Sequence, residues 1–209
     1  MRESIFKIID NAPLTQTVYK MKLQGDVSDI TSSGQFVNIK LDGLYLRRPI
    51  SVCDCEDGVL TLIYKVVGKG TEQMAKMTAG EELNILTGLG NGYDISLSGD
   101  KPLLLGGGVG VPPLYMLAKK LIAEGKKVSV VLGFNTKEEV FCEEDFKALG
   151  ADVFVTTVDG SYGIKGFVTD AMKDIDYSYF YTCGPEPMLK AIFKASSTSG
   201  QFSFEERMG

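Results

Sequence analysis

Lys101-Pro-Leu-Leu-Leu-Gly-Gly-Gly-Val-Gly-Val-Pro-Pro113 is the stretch that decides the fold. Leu103 to Leu105 form a short apolar run, the pattern of a buried strand. Gly106, Gly107, Gly108 and Gly110 then make a loop almost without side chains, and Pro112 and Pro113 open a helix through Leu114, Leu117, Ala118 and Leu121. Proline suits a first helical turn because its missing N–H would have no partner there. Bare backbone can approach a phosphate closely, and a helix N-terminus points N–H groups and its dipole at the anion. A tight strand-to-helix turn needs one or two glycines; four favour nucleotide binding.

Downstream of this stretch, strands and helices alternate. Strands are expected at Leu103–Leu105, Val128–Leu132, Val153–Thr157, Tyr179–Thr182 and Phe202–Phe204. Helices are expected at Pro113–Glu124, Glu143–Leu149, Phe167–Asp174 and Glu186–Ala195. Such alternation argues for an open parallel sheet with helices on both faces. Upstream the rhythm differs. Thr17–Leu23, Gln35–Leu41 and Leu60–Val67 are short β-rich runs separated by turn residues, which suggests a small antiparallel barrel. One helix is expected over Thr71–Met77, with Thr71 as N-cap and Met74 and Met77 facing inward. The domains are therefore expected at residues 1–98 and 99–209, with the break near Leu97 to Lys101.

The bulk composition narrows the function. A net charge of −5 over 209 residues argues against a broad nucleic-acid surface. No apolar run approaches a membrane span, and the charged Met1-Arg-Glu-Ser-Ile-Phe-Lys7 is unlike a signal peptide, so a cytoplasmic location is expected. Cys53, Cys55, Cys142 and Cys183 match no zinc or iron–sulfur spacing. On a strand, Cys53 and Cys55 would share a face, as a metal pair or, in a reducing cell, as half-buried thiols. No metal site is assigned. Histidine is absent, which removes the commonest general base and the Ser-His and Cys-His systems. Chemistry carried by a cofactor needs no such base.

Several motifs fit a cofactor protein. Arg48-Pro-Ile-Ser51 ends a β-like run; it offers a cation for a pyrophosphate and a serine for a ring edge, or else a surface ion pair and a turn. Ile63-Tyr-Lys-Val-Val-Gly-Lys-Gly-Thr71 offers the flat face of Tyr64, close backbone at Gly68 and Gly70, and a helix start at Thr71. It also reads as a barrel strand ending in a glycine turn. Thr182-Cys-Gly-Pro-Glu-Pro-Met188 closes a later strand at the carboxyl edge of the sheet, where ligands bind in open α/β folds. Cys183 there is either a ligand contact or a small buried residue. After Val131-Leu-Gly-Phe134, Asn135 and Thr136 stand where a 2′-phosphate would call for arginine, and the acids from Glu138 onward would repel it. NADH is thus favoured over NADPH.

In order, Arg-Pro-x-Ser, Gly-x-Gly-Thr, Gly-Gly-Gly-x-Gly and Cys-Gly-Pro-x-Pro-Met resemble the ferredoxin–NADP reductase superfamily across nearly the whole chain. Within it, Arg47–Ser51, Tyr64–Thr71, Leu105–Leu114 and Phe202-Ser-Phe-Glu-Glu-Arg-Met-Gly209 are similar to the electron-transfer subunits of class 1B (NAD-dependent) dihydroorotate dehydrogenases. The resemblance implies a Greek-key barrel that binds FAD and a second, α/β domain that binds NAD. Arg48, Pro49, Ile50, Ser51, Ile63, Tyr64, Lys65, Gly70 and Thr71 would contact FAD. Gly107, Gly108 and Gly110 would face the dinucleotide, with Cys183 and Gly184 near the nicotinamide. Catalytic roles would fall to Cys183 and to Glu206, which with Glu205 would lie where the chain turns back towards the flavin. The implied partner is an FMN-containing dihydroorotate dehydrogenase catalytic subunit in a heterotetramer, with electrons passing from FMN through a [2Fe-2S] cluster to FAD and NAD+ in pyrimidine biosynthesis. In the family the cluster's cysteines follow Glu-Arg-Met-Gly directly. They are not in this sequence, so either the chain is truncated, which is the expectation, or this version works without the cluster. The alternatives are a flavin reductase subunit of a transhydrogenase or soluble hydrogenase, or a non-catalytic interaction module.

Overall fold

A computed structural model describes residues 1–204, which divide into two compact units, Met1–Gly92 and the part that begins at Tyr93. In the first, β1 (Arg2–Pro13), β2 (Val18–Gln24), β3 (Phe36–Lys40), β4 (Arg48–Glu56), β5 (Val59–Lys65) and β6 (Glu82–Leu89) close into an antiparallel barrel in the order β1-β2-β5-β4-β3-β6. Alternation builds its core: Phe6 and Ile8, Met21 and Leu23, Val37 and Ile39, Leu60 and Leu62, and Leu83 and Ile85 are all buried. Closure through β6 on β1, with Arg2 opposite Thr87, leaves no open sheet edge. Asp57 (φ 51°) and Gly58 (φ 77°) form the two-residue turn of the β4–β5 hairpin, the left-handed pair whose twist suits such hairpins.

Three local expectations change here. Arg48–Ser51 begins a strand rather than ending one. The pairing of β4 with β5 slips between Val52 and Asp54, so a bulge at Cys53 breaks the alternation; Cys53 is buried beside Val52 and Cys55 is half-buried. Helix α1 spans Lys69–Lys76 with Gly68 as N-cap. Thr71 lies inside its first turn, where Oγ1 accepts from the N–H groups of Val67 (2.9 Å) and Gly68 (3.3 Å). Met74 faces the core, while Met77 is only half-buried.

The second unit holds β7 (Pro102–Gly107), α2 (Tyr115–Ala123), β8 (Ser129–Phe134), α3 (Glu143–Leu149), β9 (Asp152–Thr157), β10 (Ile164–Lys165), α4 (Val168–Met172), β11 (Tyr179–Gly184), α5 (Glu186–Ala195) and β12 (Gly200–Phe204). Its strands form one parallel sheet in the order β10-β9-β8-β7-β11-β12. Leu103, Leu104 and Leu105 are each fully buried, as a strand covered on both faces requires. Leu103, Leu105, Val131 and Phe180 pack with Val168, Ala171 and Met172 of α4 and Ile192 of α5. The winding reverses between β7 and β11, so their carboxyl ends border the crevice where open α/β sheets take ligands.

The second unit starts at Tyr93, upstream of the expected break near Leu97 to Lys101. Tyr93 packs edge-on against Tyr181 (5.6 Å, 82°), and Tyr181 Oη donates to the Asp94 carbonyl (2.7 Å). These contacts bind the segment before β7 to β11.

Candidate functional site

The barrel's candidate residues gather where β4 and α1 begin. The Arg48 guanidinium donates through Nη1 to the Leu46 carbonyl and lies across Gly70, where an added Cβ would run into Nε. Gly70 is thus glycine because an arginine is seated on it. At Gly68, no atom stands within 4 Å of an added Cβ, so backbone is open to an approaching group. Pro49, Ile50 and Ser51 are half-buried along β4; Ile63 is buried and Lys65 is exposed. The arrangement presents one fixed cation beside open backbone, the chemistry a diphosphate needs.

Tyr64 departs from the sequence reading. Its ring is 2% exposed and stacks on Tyr19 (6.0 Å, 21°), so it offers no open face. Its Oη donates to Asn11 Oδ1 (3.1 Å), and burial pushes the phenol pKa up to about 12. Asn11 Nδ2 in turn donates to the carbonyls of Met74 and Met77, both at 2.9 Å. One side chain therefore ties β1, the Tyr64 hydroxyl and the C-terminal end of α1 together. Sequence reasoning missed Asn11, since a lone asparagine in a strand carries no motif.

In the second unit the glycine loop leads into two tight 3-10 turns, Gly108–Gly110 and Pro112–Leu114, before α2 starts at Tyr115. The helix expected from Pro113 thus begins two residues later. The glycines also divide by role. An added Cβ would strike Val111 at Gly106, Met188 at Gly107 and the Cys183 carbonyl at Gly110. At Gly184 it would strike Met188. Gly108 is different: its φ is +52° and no atom lies within 4 Å of a Cβ there. Backbone crowds Gly106 and Gly110 and the Met188 side chain fills the space over Gly107 and Gly184, while Gly108 leaves the edge open.

Cys183, the next-to-last residue of β11, stands opposite Gly106 of β7 and Ser203 of β12 and is 6% exposed. Below it, Thr182 Oγ1 donates to the Leu105 carbonyl (2.9 Å), and Tyr93 Oη donates to the Thr182 carbonyl (3.4 Å). Burial first, and then the neighbouring Cys183, hold the Tyr93 phenol well above its ordinary pKa. The structure brings Cys183 and Gly184 against the glycine loop through Gly110 and Gly107. Glu205 and Glu206 lie outside the described residues.

The loop after β8 is acidic and occupied. Asn135 donates from N (3.1 Å) and Nδ2 (2.9 Å) to Glu139 Oε2, and Lys137 Nζ sits 5.9 Å over the Tyr162 ring. Hydrogen bonds from Thr136 and Ser161 hold the Glu138 and Asp159 carboxyls below their usual range.

Residues 104–194 match the oxidoreductase NAD-binding domain model. Over 95% of the chain, 45% of residues are identical to the electron-transfer subunit of dihydroorotate dehydrogenase B (NAD+) from Fusobacterium nucleatum, covering 82% of that protein. The same subunit from Bacillus pumilus is 44% identical over the whole chain and 85% of its own length. The chain belongs to this family. Its own build is ferredoxin reductase-like. A solved NADH-dependent reduced ferredoxin–NADP oxidoreductase, described in terms of flavin-based electron bifurcation, superposes with a TM-score of 0.86 at 31% identity, covering 97% of this chain and 77% of that one. The chain is therefore an oxidoreductase subunit. Among its described residues, no group of three or more His, Cys, Asp or Glu is placed to hold a metal, and no helix is long and apolar enough to cross a membrane.

Proposed function

We propose that this chain is the electron-transfer flavoprotein subunit of a dihydroorotate dehydrogenase, with FAD on the barrel and NAD(H) on the parallel sheet. The observation that carries the reading is the pair of open backbone cradles, each in its own unit. One lies at Gly68 beside the Arg48 guanidinium; the other lies at Gly108 on the carboxyl edge of β7. Identity of 45% to the Fusobacterium subunit over 95% of the chain favours this over the transhydrogenase alternative, whose solved counterpart stands at 31%.

Bound flavin supplies two-electron chemistry and hydride exchange with the nicotinamide. The chain's residues bind and orient. Arg48 neutralises diphosphate charge, and its seat on Gly70 fixes where that charge lies. Ser51, with Pro49 and Ile50, lines the start of β4 beside it. Tyr64 acts from within, holding β5 to β1 through Asn11. Gly108 presents open backbone to the dinucleotide, Gly107 and Gly110 let the loop close against Met188 and Cys183, and Cys183 and Gly184 close the nicotinamide end. No protein base is required, in keeping with a chain that has no histidine. The cysteines do not fit a [2Fe-2S] cluster: Cys53 and Cys55 lie on β4 of the barrel, Cys142 caps α3 and Cys183 lies on β11.

The electrons come from dihydroorotate, oxidised on an FMN-containing partner subunit in the cytoplasm, and end on NAD+. Co-purification with the family's catalytic subunit, followed by dihydroorotate-dependent NADH formation, tests the assignment. NADH formation that depends on both chains supports it. A complex driven instead by reduced ferredoxin would place the chain with the transhydrogenases.

A further inference from the structure

Met188 is the third residue of α5, and its backbone N–H donates to the Pro185 carbonyl (2.9 Å). The side chain is half-buried and packs against the core cluster formed by β7, β8, β11, α4 and α5. Its thioether then reaches two glycine loops at once. A Cβ at Gly107 would stand 2.5 Å from Met188 Sδ, and a Cβ at Gly184 would stand 2.5 Å from Cε and 3.3 Å from the Gly107 N. Met188 therefore fills the space over both glycines, at the point where β7 and β11 end side by side.

Two glycines in separate loops that make room for one flexible side chain act as a single joint. A methionine there is apolar, unbranched and adaptable, able to fill an irregular gap between backbones. Glycine at 107 and 184 is then explained by Met188, not by the ligand; the ligand's access lies at Gly108, one residue further on.

Building on the proposed NAD(H) role of this unit, we infer that Met188 is a positioning residue for the dinucleotide. It spaces the glycine loop after β7 from the Cys183-Gly-Pro loop after β11, so that both backbones meet one ligand together. A small error in that spacing weakens binding without touching the flavin on the other unit.

The test is the affinity of the FAD-loaded chain for NAD+, measured by calorimetry without turnover, in Met188→Ala, Met188→Leu, Gly107→Ala and the pair Gly107→Ala/Met188→Ala. Met188→Ala is expected to weaken NAD+ binding about tenfold, a change of about 1.4 kcal/mol, with FAD content unchanged. Met188→Leu, close in volume, stays within about threefold of wild type. Gly107→Ala alone weakens binding at least as much as Met188→Ala, and the double variant recovers part of that loss, because the new methyl enters the vacated space. Wild-type affinity in Met188→Ala, even with a lower melting temperature, would show a merely structural residue and overturn the proposal. So would losses at Gly107 and Met188 that simply add. A wild-type chain that binds no NAD+ would instead sink the reading of the whole unit, and this inference with it.

Discussion

Arg48 and Gly70 lie 22 positions apart, yet they form one feature: the guanidinium rests where a side chain at position 70 would stand. Arg48→Ala should weaken FAD binding about 10- to 100-fold, because a charge-assisted phosphate contact is worth about 1.5–3 kcal/mol. Titration of the stripped protein by flavin fluorescence measures this. Unchanged affinity in a folded variant removes Arg48 from the site. Tyr64 gives a pH prediction. Its folded pKa of about 12 lies above the ordinary value of 10.0, so the folded state keeps a proton that the unfolded chain loses. The stabilisation is complete below pH 10, and it is lost as pH rises from 10 to about 12. Urea midpoints should fall across that window, and Tyr64→Phe should flatten the fall. A variant with the wild-type slope would show that Tyr64 ionises as freely as in the unfolded chain. The sequence pointed to both residues, but it read Tyr64 as a surface face. Only the packing of Tyr19 and Asn11 around the ring shows it enclosed, and long-range pairing of that kind leaves no local pattern.

At the scale of elements, periodicity carried most of the fold. The alternation of Leu60 and Leu62 in β5 and the run Leu103–Leu105 in β7 announce a half-buried and a doubly buried strand. Strand β1 went unread because Ile5 and Ile9 are exposed and blur its alternation. The Asp57-Gly58 hairpin was readable from its dipeptide and was passed over. The bulge at Cys53 was not readable, since it follows from the register of β4 against β5. The four glycines from Gly106 to Gly110, which end β7 and form the turn after it, were legible as a loop but not as separate roles. Those roles predict different outcomes on substitution. Gly110→Ala drives a methyl into the Cys183 carbonyl and should destabilise the sheet unit by about 3 kcal/mol, as overpacking against backbone does. Gly108→Ala meets no atom, costs about 1 kcal/mol for its positive φ, and should lower NADH affinity by standing in the open cradle. Urea unfolding and NADH titration on the two variants separate these effects. Equal stabilities would contradict the division.

At the scale of the molecule, two units with different sheet logic share one chain. The change of rhythm that separates them was visible in the sequence, while the boundary itself was not. Tyr93 and Asp94 look like loop residues until their contacts with Tyr181 and Gln201 tie them to the sheet. The family was legible because the motifs that carry it are local: Arg48–Ser51, Gly68–Thr71, Gly106–Gly110 and Thr182–Met188, the segments proposed to meet the cofactors, each sit at an element's end. What joins them, such as Asn11 beneath Tyr64 and Met188 between two glycines, was not, because it depends on contacts between distant segments. The central claim is that the chain holds FAD and reduces it with NADH through binding and orientation alone. The most direct test is an anaerobic visible spectrum of the purified protein, taken with FAD and again after NADH is added. A bound-flavin spectrum bleached by stoichiometric NADH is the predicted result. A folded protein that binds no flavin, or binds it and leaves it oxidised in the presence of NADH, would contradict the account.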